Sequence, residues 1–398
     1  MNDKQYFICV WHREIHDFDA TAWQSLAGTH PFLSFFMLQA FESSGAVGGN
    51  SGWYPHHLAV YRQQQLVAAM PMYLKTHSYG EYVFDWAWAE AFEGAGGQYY
   101  PKLISAIPFS PVTGPRVLVR EDCVHQPDLL ACMLDSVQTL CVQHSLSGVH
   151  ILFPDQQSAA WCADHGWLRR EGVQFRWENH AYTDWEQFLA TLSHDKRKKI
   201  RQERKKVAQQ GVVCRVLDGH QATENDWDLF YRCYCNTYAM HNSQPYLNAD
   251  FFKVLVQTMP EHLALFIATH EGQDVAASLC VHGGGTLYGR YWGALKDFSC
   301  LHFELCYYLP QQFCITHGIQ YFEGGAQGVH KLARGFMPYT TCSYHWLENA
   351  DFQASVARFL SREAGNMQAY VTELEERSPY KTAAPSALGL QDGYHGTS

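Results

Sequence analysis

Glu323, His330, Lys331 and Arg334 share one short glycine-rich stretch, Tyr321-Phe322-Glu323-Gly324-Gly325-Ala326-Gln327-Gly328-Val329-His330-Lys331-Leu332-Ala333-Arg334-Gly335. One carboxylate and three nitrogen groups so placed could move a proton near neutral pH and hold an anion. Glu323 ends an apolar, strand-like run, where burial can lift a carboxylate's pKa into the working range, so it is the first choice of base. His330 and His345 take protons near neutrality without large perturbation and are the other candidates. Lys331 and Arg334 suit anions, Arg as a planar fork. Gly324 and Gly325 let backbone N–H groups come close to a ligand. The plain alternative is a surface turn with solvated charges, in which Glu323 pairs with Lys331 or Arg334.

A second charged feature lies upstream. The net charge is −10, which argues against general affinity for nucleic acid, yet eight of the eleven residues from Lys196 to Lys206 are Lys or Arg. On a helix, Arg197, Arg201 and Lys205 fall four apart and make a cationic ridge with Lys198 nearby, while Ile200 and Val207 anchor the other side. Glu203 is expected to pair with Lys199 and relieve repulsion. Such a ridge suits a polyanion, such as a phosphate chain, an RNA acceptor end or an anionic membrane surface. A merely solvated basic helix is the alternative.

The remaining chain must position these groups. Its 398 residues, 47% apolar and 15% aromatic, can bury a large core, and the length points to two domains. Thirteen cysteines without paired spacing read as reduced, small apolar residues. No metal site is expected, since His56-His57 and His12 to His16 lack partners at ligand spacing. Neither a leader-like N-terminus nor an apolar run of about 20 residues is found, and a cytoplasmic protein is expected. His57-Leu58-Ala59-Val60-Tyr61 and Gln65-Leu66-Val67-Ala68-Ala69-Met70 read as a hairpin. The pattern returns about two hundred residues later as His262 to Phe266 and Gln273 to Leu279, with a longer turn. Each half then runs through a helix, Pro127 to His144 or His302 to His317, into a strand and a closing hairpin, Gly166 to Trp177 or Gly335 to Trp346. The expected division is an N-terminal domain over 1–177, a connecting segment with the basic helix over 178–211, a C-terminal domain over 212–376 and a frayed tail over 377–398.

The motifs Leu192-Ser193-His194-Asp195-Lys196-Arg197-Lys198-Lys199-Ile200-Arg201-Gln202-Glu203-Arg204, Arg290-Tyr291-Trp292-Gly293, Leu301-His302-Phe303-Glu304-Leu305-Cys306-Tyr307-Tyr308 and Glu323 through Gly335 resemble the FemAB-like group of doubled GNAT-type acyltransferases. The resemblance spans nearly the whole chain. It implies an α/β (α+β mixed) class, a duplicated GNAT-like acyltransferase fold with two half-domains of mixed sheet flanked by helices. It further implies transfer of an acyl or aminoacyl group to an amine, either a small molecule or a peptidoglycan-precursor-like acceptor. No tightly bound cofactor is implied, and acyl-CoA or aminoacyl-tRNA serves as co-substrate.

In that picture the donor lies on a splayed strand, with Arg290, Lys331, Arg334 and the ridge Arg197, Lys198, Arg201 and Lys205 as its anion-binding groups. Simple GNAT enzymes cradle a pyrophosphate with Gln/Arg-x-x-Gly-x-Gly/Ala; Arg290 to Leu295 keeps the Arg and the first Gly and ends in Leu. FemAB-like relatives use aminoacyl-tRNA instead, for which the basic helix could hold phosphates. Tyr291 and Trp292 would face the donor and stack on it. Glu304 would contact the substrate amine or serve as a first-turn carboxylate. His241 would close over the acceptor or simply cap its helix. From another class, a catalytically silent module holding peptidoglycan fragments, RNA or anionic lipid fits the same residues. Donor, acceptor and oligomeric state stay open at this level.

Overall fold

Runs of β-branched and aromatic residues broken by polar pairs give the strands, as alternation requires. The computed structural model describes residues 7–325 and 328–381. In chain order the strands are β1 Ile8–His12, β2 Trp53–Pro55, β3 His57–Arg62, β4 Gln65–Met70, β5 Tyr73–Lys75, β6 Lys102–Ser105, β7 Leu118–Val119, β8 Gly148–Leu152, β9 Leu168–Glu178, β10 Val212–Asp218, β11 Leu263–His270, β12 Gln273–Gly283, β13 Thr286–Ala294, β14 Tyr321–Glu323 and β15 Met337–Leu347. An 11-stranded mixed sheet runs β10-β11-β12-β13-β14-β9-β15-β8-β6-β5-β2, and a 4-stranded sheet runs β1-β3-β4-β7.

Both expected hairpins form. β3 and β4 pair antiparallel through a turn at Gln63 and Gln64, with φ of 51° and 66°; β11 and β12 pair through Glu271 and Gly272, also left-handed. The duplication is visible in the centres of the halves. Helix Pro127–Gln143 leads into β8, which pairs in parallel with β6. Helical turns from Leu301 to His317 lead into β14, parallel to β13. The halves differ in one respect with a local cause. Pro55 and Pro71 interrupt the N-terminal ribbon, so β2 and β5 stay in the large sheet while β3 and β4 continue in the small one.

The closing hairpins expected at Gly166 to Trp177 and Gly335 to Trp346 are instead two single long strands. β9 and β15 pair with each other from Leu168↔His345 to Arg176↔Met337. Each then continues into the opposite half, β9 beside β14 and β15 beside β8. Gly172, the one turn-prone residue inside β9, is not left-handed, so nothing bends the strand. The halves are thus joined by exchanged strands as well as by the connecting segment. They also share a core in which Phe41 packs on Phe251 at 4.8 Å.

The basic helix spans His194–Gln209 and follows helix Trp185–Thr191, as expected. The first residues of the tail expected from 377 are held in place. Tyr380 donates to the Gly335 carbonyl at 2.7 Å and Ser193 N–H to the Pro379 carbonyl at 2.8 Å, which ties residues 377–381 down. The rest of that expected tail, 382–398, lies outside the described residues. Among the described residues no helix is long and apolar enough to cross a membrane.

Gly293 has a packing duty. A β-carbon there would sit 1.8 Å from the Cys233 carbonyl oxygen of helix Glu224–Met240. Backbone has to approach backbone at that point, and only glycine allows it. Gly293→Ala should therefore cost about 1–3 kcal/mol or more through forced displacement of the helix, read as a lower urea midpoint at unchanged slope.

Candidate active site

β13 and β14 stay paired for only three residues, Thr286↔Tyr321, Leu287↔Phe322 and Tyr288↔Glu323. β13 then follows β12 to Ala294, while the chain after Glu323 turns away. Two features turn it: Gly324 N–H bonds the Phe175 carbonyl at 3.0 Å on β9, and Gly325 has φ +82°, a conformation cheap for glycine alone. Between the parting strands opens a cavity of about 440 Å³. Gly289, Arg290, Tyr291 and Trp292 line it from β13, Gly324, Gly325 and Lys331 from the glycine-rich stretch. Its far wall is aromatic and comes from both halves, with Tyr82 and Phe109 on one side and Tyr234, Tyr238 and Tyr246 on the other.

The cations of the cavity converge. The position a Gly325 β-carbon would take lies 3.7 Å from Arg290 Nη1 and 4.0 Å from Lys331 Nζ. Lys331 is 4% exposed and donates to the Gly325 carbonyl at 3.1 Å. Burial first, and the Arg290 charge second, push its amine down to about 7. Glu323, buried behind Arg290, accepts from its Nη2 at 3.4 Å. Burial raises the Glu323 carboxyl and outweighs the opposing pull of Arg290 and Arg176. The arrangement places a buried amine of lowered pKa beside a guanidinium on the wall of the cavity.

Of the residues singled out in the sequence, Arg290, Tyr291, Trp292, Gly324, Gly325, Lys331 and His241 meet at this cavity, and Glu323 stands one layer behind. The others go elsewhere. His330 is exposed, with its ring against the Tyr307 hydroxyl at 3.0 Å, and its imidazole is held below the usual value by partial burial and by Arg334 and Lys331. Arg334 is not a free anion receptor. It is 2% exposed, bonded to Glu203 at 2.9 and 3.0 Å and stacked on Phe303 at 3.4 Å. Glu203 therefore faces inward to Arg334 and the Tyr308 hydroxyl, and not toward Lys199. Glu304 is locked to Arg204 through three hydrogen bonds of 2.7 to 3.1 Å, which leaves the structural carboxylate as its role.

His345 is corrected most clearly. It sits buried on β15, with Nδ1 2.7 Å from His150 Nδ1, Nε2 2.9 Å from the Ser343 hydroxyl and its ring against Trp88. Burial and the neighbouring His150 hold it well below the ordinary imidazole value, away from the cavity lining. Arg197, Lys198, Arg201 and Lys205, with His194 and Gln202, line a separate groove of about 420 Å³ on the outer face of the basic helix. There Arg201 is paired with Glu186.

Sequence reading missed the aromatic wall. Tyr234 and Tyr238, four apart on helix Glu224–Met240, carried the one local signal. Tyr82, Phe109 and Tyr246 come from loops that only the tertiary fold brings together. Among the described residues no group of three or more His, Cys, Asp or Glu could hold a metal ion.

Comparison with known proteins adds family and fold. A family model described as FemAB-like, peptidoglycan biosynthesis/recognition, matches residues 14–382. No curated protein matches the chain in sequence. Among solved structures, FemX superposes with a TM-score of 0.52 at 11% identity, covering 88% of this chain and 100% of that one. L-PGS from Bacillus licheniformis gives 0.51 at 11%, covering 86% and 96%. The mixed α/β fold with a repeated pattern in its two halves, expected from the motifs, is the fold observed, and it is shared with these two structures.

Proposed function

The chain belongs to the FemAB-like family of peptidoglycan biosynthesis and recognition, and from that premise we propose that it is an N-acyltransferase that moves an acyl or aminoacyl group from an activated donor to an amine bound in the cavity beside β13. The observation that carries this reading is the parting of β13 from β14 at Gly289 and Gly324, which opens a cavity lined by a buried lysine whose pKa is lowered. The amine nitrogen attacks the donor carbonyl carbon, a new C–N bond forms, and the C–S bond of a thioester or the C–O bond of an ester breaks. Lys331 takes the proton the nucleophile loses and returns it to the departing thiol or hydroxyl. Burial first and the Arg290 charge second disfavour the ammonium form of Lys331, and Arg290, bonded to Glu323, offers N–H groups to developing negative charge. Gly324 and Gly325 leave room for the reacting carbonyl.

For the donor, two observations favour aminoacyl-tRNA over acyl-CoA. Gly293 is committed to helix packing, and Leu295 stands where the pyrophosphate pattern has Gly or Ala, which weighs against such a cradle over Arg290 to Leu295. The basic groove offers Arg197, Lys198 and Lys205 on an exposed face, as phosphate contacts require. Segment Val329–Arg334 links the two sites, with Lys331 in the cavity and Arg334 beneath the basic helix. The acceptor is a peptidoglycan-precursor-like or other small amine.

Purified protein incubated with labelled aminoacyl-tRNA, acetyl-CoA and longer acyl-CoA across an amine panel tests this directly. Transfer from any of these donors supports the reading; its absence throughout, with ligand binding intact, would point to a binding module. Changing Arg197, Lys198 and Lys205 together to Gln should weaken tRNA binding about uniformly across sequences and flatten its salt dependence by about three contacts. These exposed changes should move stability by no more than about 0.5 kcal/mol.

A further inference from the structure

The cavity carries more information than the transfer reading uses. Arg290 is 5% exposed at its side chain, and its Nε is buried without a hydrogen-bond partner. Its Nη1 is spent on the Gly289 carbonyl at 3.1 Å, and its Nη2 on Glu323 at a long 3.4 Å. A buried guanidinium with one nitrogen orphaned and another loosely held is an incomplete anion site, because unpaired buried charge is costly. The chemistry that completes it is a planar acceptor with two oxygens.

The other wall points to a ring. Phe109 and Tyr246 stack at 4.9 Å with 15° between planes, and Tyr238 meets Tyr246 edge-on at 6.1 Å. Tyr82 and Tyr246 remain 37% and 38% exposed at the cavity mouth, an unusual position for aromatic side chains that have a core available. Farther out, Tyr79, Phe84 and Trp86 continue the same exposed aromatic surface. At about 440 Å³ the cavity is far larger than a methyl or hydrogen side chain fills.

Taken with the convergence of Arg290 and Lys331 on one point, we propose that the acceptor is an aromatic α-amino acid, or a molecule ending in one: its carboxylate rests on Arg290, its amine faces Lys331 and its ring lies among Tyr82, Tyr238 and Tyr246. This deepens the transferase reading and rests on it for the word acceptor. The product would then be an N-acylated amino acid, formed by the same C–N bond making and C–S or C–O bond breaking, with no further reactant.

Titration calorimetry without any donor tests it, so its failure and failure of the transfer reading can be told apart. The probes are L-phenylalanine, L-tyrosine and L-tryptophan, with their C-terminal amides, L-alanine and phenyl phosphate as controls. Expected is saturable binding of the aromatic acids at least tenfold tighter than of the amides or of L-alanine. Arg290→Gln should abolish the preference for acid over amide. Tyr246→Ala should remove the preference for phenylalanine over alanine, and it serves as the second variant where Arg290→Gln does not fold. Equal binding of acid and amide overturns the proposal, as does tighter binding of phenyl phosphate, which would make this a phosphate subsite. Absence of saturable binding by all three amino acids also overturns it.

Discussion

Lys331→Met should lower the rate of acyl transfer by about 10²–10⁴-fold, the usual contribution of a positioned proton acceptor, with little change in acceptor binding. The wild-type side chain is buried and its amine sits near 7 because burial and Arg290 both disfavour the ammonium form. The sign follows from that. Below about 7 the amine is protonated and cannot accept a proton; above it the amine is neutral and active. Transfer by the wild type should thus rise as pH increases through about 7 and level off above it, and this limb should vanish in Lys331→Met. Lys331→Arg keeps the positive charge yet cannot give it up, so it should not rescue the rate. If Lys331 only filled space or paired with an anion, the arginine variant would retain activity and the pH limb would survive in both. The measurement is single-turnover transfer from the preferred donor at pH 6 to 9, with near-ultraviolet circular dichroism as the check on folding. Methionine matches the stem volume, so the fold should hold.

Much of the scaffold was legible because its signals are local. Val67-Ala68-Ala69-Met70 and Val275-Ala276-Ala277-Ser278 repeat one hairpin pattern in both halves, and both hairpins form. The helix from Pro127 begins at its proline, and the basic helix begins at His194, though without a capping hydrogen bond from the Ser193 side chain. Strand exchange was not legible. Whether β9 folds back or crosses into the other half depends on partners well over a hundred residues away, such as Met337 opposite Arg176, and no local turn residue decides it. The cavity was half legible for the same reason. Arg290 to Trp292 lie on β13, and Gly324, Gly325 and Lys331 belong to a glycine-rich, charged stretch after β14 that stands out locally, while Tyr82, Phe109 and Tyr246 arrive from loops with no periodicity. Where charge alone guided the reading, burial reassigned it. Arg334, Glu304 and Glu203 look like solvated or ligand-facing ions in sequence, yet each is paired inside the protein. His345 looks like any titratable imidazole, yet burial beside His150 keeps it from titrating near neutrality.

Glu203→Ala should destabilise the protein by about 3–5 kcal/mol, the cost of leaving a buried charge without its partner. Glu203 reaches inward from the otherwise polar basic helix and accepts two hydrogen bonds from Arg334, whose side chain is 2% exposed, and one from the Tyr308 hydroxyl. Removing the carboxylate leaves a guanidinium among the rings of Phe303, Tyr307 and Tyr308 and the His330 carbonyl, none of which offsets a full charge. Arg334→Met alone should cost less, because Glu203 lies nearer the surface and can be hydrated or protonated. Converting both together to methionine should recover most of the loss, since a well-packed apolar pair of similar volume replaces a desolvated ion pair at little net cost. Urea unfolding of the wild type, Glu203→Met, Arg334→Met and the double methionine variant measures the coupling. A single-variant loss below about 1 kcal/mol would mean that Arg334 finds water or another partner, and that the pair does not fasten the segment. The same cycle read in transfer assays separates fastening from chemistry. Lys331 lies three residues before Arg334 on one short helical segment, so the folded fraction of Glu203→Ala should turn over more slowly with an unchanged pH midpoint, whereas the double methionine variant should regain rate along with stability.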